Sequence, residues 1–152
     1  MTSPVQKLMR NVSNLRYIPS IKEELYKSEK KNVTKLPVYT KEENKKELHK
    51  IDLNDLLIKN PNDTFLIRVN GNSMVNAGIN SGDLLVVDKS ISANNNDVVV
   101  ASINNEMLVK RYSRVNNSIE LKSENESFQN FKINENDNFN IWGVVKSVIR
   151  SF

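Results

Sequence analysis

VNGNSMVNAGINSGDLLVVD, residues Val69–Asp88, contains three of the four glycines in a chain of 152 residues, and the apolar run that closes it decides the fold. Gly71 to Ile79 is a small-residue turn set directly after a strand, and Asp83–Asp88 is a short apolar strand after the turn signal Ser81-Gly82. Outward from this stretch the pattern keeps the two-residue period of strands. It predicts strands at Phe65–Asn70, Asp83–Asp88, Asp97–Ile103, Glu106–Arg114, Ser118–Lys122 and Phe139–Arg150, with a weaker one at Phe131–Ile133. Between them lie Asn94-Asn95-Asn96, Asn104-Asn105 and Asn116-Asn117. Asparagine makes up 24 residues of the chain, and it tolerates positive φ well enough to replace glycine in tight hairpins. The expectation is a mostly β, compact domain of short antiparallel strands over residues 51–152.

Residues 1–50 read as a basic N-terminal arm or linker, partly helical or disordered. Residues 1–60 hold 13 Lys+Arg against 8 Asp+Glu, whereas 61–152 hold 9 against 10, and no glycine precedes Gly71. Ser3-Pro4 followed by Val5, Leu8, Met9, Val12 and Leu15 predicts a capped helix, and Ser20 with Glu23 a second one to about Lys31. Lys41–Lys50 is almost wholly charged and reads as solvated helix or linker. Asp52–Leu57 reads as a capped helical turn with Leu53, Leu56 and Leu57 on one face, ended by Asn60-Pro61-Asn62-Asp63.

Composition removes several kinds of chemistry. Zero cysteines exclude disulfides, thiolate zinc sites and cysteine nucleophiles, and one histidine, His49, cannot build an imidazole-rich metal site. No apolar run reaches the ~18 residues of a membrane span, and the first residues lack the pattern of a secretory signal. A cytoplasmic address with no metal and no cofactor is the expectation. Chemistry falls to Ser, Lys, Asp, Glu and the backbone.

Two residues stand out against ordinary β sequence. Ser73 sits just past a glycine at the mouth of a strand-to-helix turn, where its hydroxyl is exposed and its own N–H free. A nucleophile with part of an oxyanion hole needs both, although a surface turn serine looks the same. Lys110, in Glu106–Tyr112, shares a strand face with Leu108 and Tyr112, while Val109 and Arg111 take the other. It either snorkels at a strand edge or lies buried. A lysine acts as a base only when neutral, and burial on an apolar face depresses its ordinary value of ~10.4.

With these residues in hand, Phe65 to Lys110 resembles the self-cleaving Ser-Lys peptidases of the LexA/UmuD superfamily. The matching segments are Val69–Asp88, Asn96–Tyr112 and Ile141–Arg150. Ser73 and Lys110 stand 37 positions apart, the separation of the superfamily's dyad. The resemblance implies Ser73 as nucleophile, Lys110 as neutral base, and an oxyanion held by backbone N–H groups at Ser73 and Met74. It also implies a turn shaped by Met74, Gly78, Gly82 and Asp83. The substrate it implies is the chain's own arm, cut once under stimulation by a RecA–single-stranded-DNA filament.

Within the superfamily, Ile51–Pro61 resembles the UmuD branch, which implies a homodimer serving a Y-family polymerase (UmuC-like) in SOS mutagenesis. That branch leaves no role for membranes and none for direct DNA binding. The alternatives are a LexA- or phage-repressor-like regulator and a non-catalytic binding module on the same fold. Members of the superfamily are usually cut at Ala-Gly or Cys-Gly, and this arm has neither. Self-cleavage is therefore expected to be slow, absent or moved, with Lys35, Leu36, Pro37, Val38, Tyr39 and Thr40 as the candidate region.

Overall fold

The structure, a computed structural model, describes residues 15–18, 34–39 and 49–152. The chain order is β1 (Leu15–Ile18), β2 (Lys35–Val38), β3 (His49–Asp52), α1 (Leu53–Leu57), β4 (Thr64–Val69), β5 (Leu84–Asp88), β6 (Val98–Ile103), β7 (Glu106–Val115), β8 (Ser118–Lys122), β9 (Phe131–Lys132) and β10 (Phe139–Ile149). Eight strands form one antiparallel sheet in the order β1-β4-β5-β10-β6-β7-β8-β9, and β2 pairs separately with β3. The mostly β expectation holds, and each strand expected beyond residue 60 is present within one or two residues at either end.

Alternation explains how one sheet carries two apolar clusters. Val100, Leu85, Val87, Met107 and Val109 pack with Ile67, Val69, Met74 and Ile79. Val99, Ala101, Tyr112, Leu121 and Val144 form the second cluster on the opposite side of β6. β6 is thus buried on both faces, which accounts for its unbroken Val-Val-Val-Ala run. Trp142 packs against the first cluster and donates its indole N–H to Ser102 Oγ at 3.2 Å, so its polar edge is satisfied.

Asparagine does replace glycine in the turns. Asn104 and Asn105, the two residues joining β6 to β7, have φ of 50° and 72°, and Asn96 and Asn116 are also left-handed at 72° and 54°. Two consecutive positive φ values define the hairpin turn whose twist matches its strands. That hairpin fixes the register placing Lys110 opposite Val99.

Three local readings change. Leu15, read as the end of a helical stripe, lies in β1 and pairs with Val69, because four residues fit either period and the free edge of β4 supplies backbone partners. His49-Lys50, read as solvated helix or linker, belong to β3, opposite Val38 and Pro37; ladder bonds join backbones and do not require apolar side chains. The turn after Ser73 enters a three-residue 3-10 turn at Val75–Ala77 and no longer helix. The remaining arm helices, over residues 3–14 and 20–31, lie outside the described residues. Asp52 does cap α1, accepting from Asn54 N at 2.8 Å, yet Leu53 and Leu56 are each 50% exposed, so the expected apolar face is not covered by another described element. Among the described residues no helix is long and apolar enough to cross a membrane.

Candidate active site

Ser73 stands at the start of a tight loop. Val69 and Gly82 close its neck, with Val69 N donating to Asp83 O and Gly82 N to Val69 O, both at 2.8 Å. Inside, Ala77 N and Ile79 N both donate to Met74 O, at 3.0 and 3.2 Å, and Gly78 turns the chain at φ 78°. Buried Met74 anchors the loop in the first cluster and leaves Ser73 half-buried at its rim. Among the described residues neither the Ser73 N–H nor the Met74 N–H donates to a protein acceptor. Two unspent donors beside a hydroxyl can hold a developing oxyanion.

Lys110 lies on β7 and is only 4% exposed. Val109 beside it points into the first cluster and Tyr112 into the second, as strand alternation requires. Lys110 forms no ion pair among the described residues. Burial pushes its ammonium below the usual lysine range, and the charge of Glu106, four residues back on the same strand, works in the opposite direction with smaller effect. Its Nζ lies 5.8 Å from the Phe128 ring centre and 5.9 Å from that of Phe131. The reading of Lys110 as a strand-edge snorkel is thereby replaced by burial.

The segment after β8 touches both residues. Glu124 N donates to Ser73 O at 2.8 Å, Asn76 N donates to Glu124 O at 2.9 Å, and Asn125 Nδ2 donates to Asn72 O at 2.8 Å. The Glu124 carboxylate accepts from Arg111 Nε, and Arg111 Nη1 donates to Asn96 O at 2.6 Å. Arg111 adjoins Lys110, and Phe128 of the same segment faces the lysine. One segment thus laces the serine loop to the lysine strand. Among the described residues Ser73 Oγ and Lys110 Nζ do not hydrogen-bond each other; catalytic hydrogen bonds commonly tighten only once substrate is bound.

Sequence reasoning missed this lacing, and it missed Arg150. Arg150 Nε and Nη2 donate to the two carboxylate oxygens of Asp83 at 2.7 and 2.5 Å, and Nη2 also donates to Gly78 O at 2.8 Å. The guanidinium beside Asp83 holds that carboxyl below the usual range although burial opposes it. The partners are 67 positions apart, and no local spacing announces them. The candidate cleavage residues Lys35–Val38 form β2, whose partner is β3 and not the serine loop; Tyr39 is exposed, and Thr40 lies outside the described residues. Among the described residues no cluster of three or more His, Asp or Glu could hold a metal.

Phe128 offers a test of what keeps Lys110 neutral. A ring near 6 Å favours the ammonium by about 0.5–1 kcal/mol at exposed sites and about 2 kcal/mol at desolvated ones, but exclusion of water is the largest influence on Lys110 and works against the ammonium. Phe128→Ala should therefore move the pH midpoint of any Lys110-dependent reaction upward, read from rate against pH. A downward movement would mean that the ring's attraction dominates.

One antiparallel sheet thus carries a serine loop laced to the strand of a buried lysine. The chain belongs to the Peptidase S24-like family, whose pattern it matches over residues 34–146. It is 40% identical to a LexA repressor of Colwellia psychrerythraea over 111 residues, 72% of this chain and 51% of that protein. A LexA repressor of Syntrophotalea carbinolica is 46% identical over 88 residues, 58% of this chain and 44% of that protein. One of Clostridium botulinum strain Hall is 46% identical over 72 residues, 47% of this chain and 36% of that protein. The match thus spans about half or less of each of these relatives. Their names favour the LexA side of the superfamily over the UmuD branch that Ile51–Pro61 resembles.

Proposed function

We propose that this chain is a Ser-Lys peptidase of the LexA type that cuts a peptide bond in its own arm and thereby switches a regulatory protein off. The observation that carries the reading is Lys110, a buried amine without an ion-pair partner among the described residues, on the strand laced to the Ser73 loop. Neutral Lys110 takes the Ser73 proton as Oγ attacks the scissile carbonyl. The N–H groups of Ser73 and Met74 hold the oxyanion. Lys110 then returns the proton to the leaving amine, and a water activated by the same lysine releases the acyl-serine as a carboxylate. The net change is one peptide bond and one water converted into a carboxylate and an amine.

A homodimer, stimulation by a RecA–single-stranded-DNA filament and a cytoplasmic setting go with this reading through the resemblance. The UmuD-type role beside a Y-family polymerase is the second reading, resting on Ile51–Pro61 alone. A gel shift of the chain on duplex DNA at moderate salt separates the two.

The substrate bond is assigned to Lys35–Thr40. A pocket suited to alanine that must accept a bulky residue loses roughly 10²-fold in rate, so self-cleavage is expected to be slow, absent or moved to another bond, and any cut to be faster at raised pH. Mass spectrometry of the incubated chain, with Ser73→Ala as control, checks this. A rapid cut at one bond elsewhere would contradict the arm assignment.

A further inference from the structure

We propose that Arg150 is a positioning residue for the nucleophile, holding the Ser73 loop in its reactive shape from the far end of the chain. The inference rests on the assignment of Ser73 made above and adds a device to it. The loop from Asn70 to Asp83 is closed at its neck by backbone bonds, and on its outer wall, Gly78 to Asn80, the Gly78 carbonyl and the Asn80 N–H are met by side chains. Arg150 stands behind both. Its guanidinium reaches Gly78 O directly, and through Asp83 it reaches Asn80, whose N–H donates to Asp83 Oδ2 at 2.7 Å. Gly78 N in turn donates to Val75 O, and Ile79 N to Met74 O. The chain of contacts runs from the end of β10 to the residue after the nucleophile in three steps.

The geometry demands arginine. Two parallel donors meet the carboxylate as a fork, and a third bond goes to a carbonyl on the adjoining turn; an ammonium cannot place three donors in that plane. Asp83 is 2% exposed, so removing Arg150 leaves a buried charge answered only by the Asn80 N–H. The carboxylate then seeks other donors, and the nearest are the loop's own N–H groups. Misplacing a reacting atom by about 1 Å costs roughly 10²-fold.

The test is the rate at which a fluorophosphonate phosphonylates Ser73, the Oγ–P bond forming as fluoride leaves, a reaction that needs the serine loop and the base but no arm. The full chain is compared with Arg150→Gln, Arg150→Lys and Asp83→Asn across pH 6 to 11, each first checked for the wild-type circular dichroism spectrum. Arg150→Gln should slow labelling about 10- to 100-fold with the pH midpoint unmoved, because the base on β7 is untouched. Arg150→Lys should recover part of the loss. A folded Arg150→Gln chain labelled at the wild-type rate, or one whose midpoint moves with its rate, overturns the proposal while leaving the Ser73 assignment standing. A wild-type chain that does not label at Ser73 overturns both.

Discussion

Lys110→Met should lower Ser73 acylation at neutral pH by about 10²–10⁴-fold, the usual contribution of a positioned base, while making the protein more stable. Methionine matches the length and apolar stem of lysine, so the second cluster keeps its packing. What disappears is an amine that burial disfavours in its charged form. Protein data put the cost of burying such a polar group at about 1–3 kcal/mol, and urea unfolding at pH 7 should show a gain of that order. The pH dependence fixes the sign. Folding lowers the Lys110 value, so between it and the ordinary ~10.4 the unfolded chain binds more protons. This group's contribution to stability therefore rises with pH across that window, and the Met variant should lose that part of the rise. A variant less stable than wild type at pH 7 would show that Lys110 is stabilised as a cation.

The second large effect falls on the fold. Gly143 lies in β10, the strand between β5 and β6, at a point where its pairing with β6 shifts register after Ile141. A Cβ there would stand 2.8 Å from Asp88 O and 2.8 Å from Val87 Cγ1. Backbone cannot withdraw as a flexible side chain can. Gly143→Ala is expected to cost about 2–3 kcal/mol and to lower the melting temperature by roughly 10 °C. The displacement would propagate to both halves of the site, since β5 continues from the serine loop and β6 sets the register of Lys110. Calorimetry that finds the variant within 0.5 kcal/mol of wild type, an order-of-magnitude line for a neutral substitution, would contradict this packing.

How far the site could be read from sequence follows from the range of each interaction. The face of Lys110 was legible because strand alternation is local and Leu108, Val109 and Tyr112 settle it. The Asn104-Asn105 hairpin was legible because two consecutive asparagines meet the demand for positive φ. β1 and β3 were not, since a four-residue strand is chosen by the free backbone edge beside it rather than by its side chains. Arg150 and Glu124 escaped for another reason. Each acts on the Ser73 loop across more than 45 positions of chain, and an arginine or glutamate near a strand end reads as surface. The apolar side of α1 was legible as a grouping, but its exposure was not: Leu53 and Leu56 stay half exposed on a five-residue helix.

The most direct measurement is a carbon-13 NMR titration of the Lys110 side chain in the folded Ser73→Ala protein, assigned against Lys110→Met. The account predicts a midpoint below the ordinary lysine range, because burial disfavours the ammonium. A midpoint at ~10.4 or above would mean that Lys110 is a structural cation, and Ser73 would be left without its base.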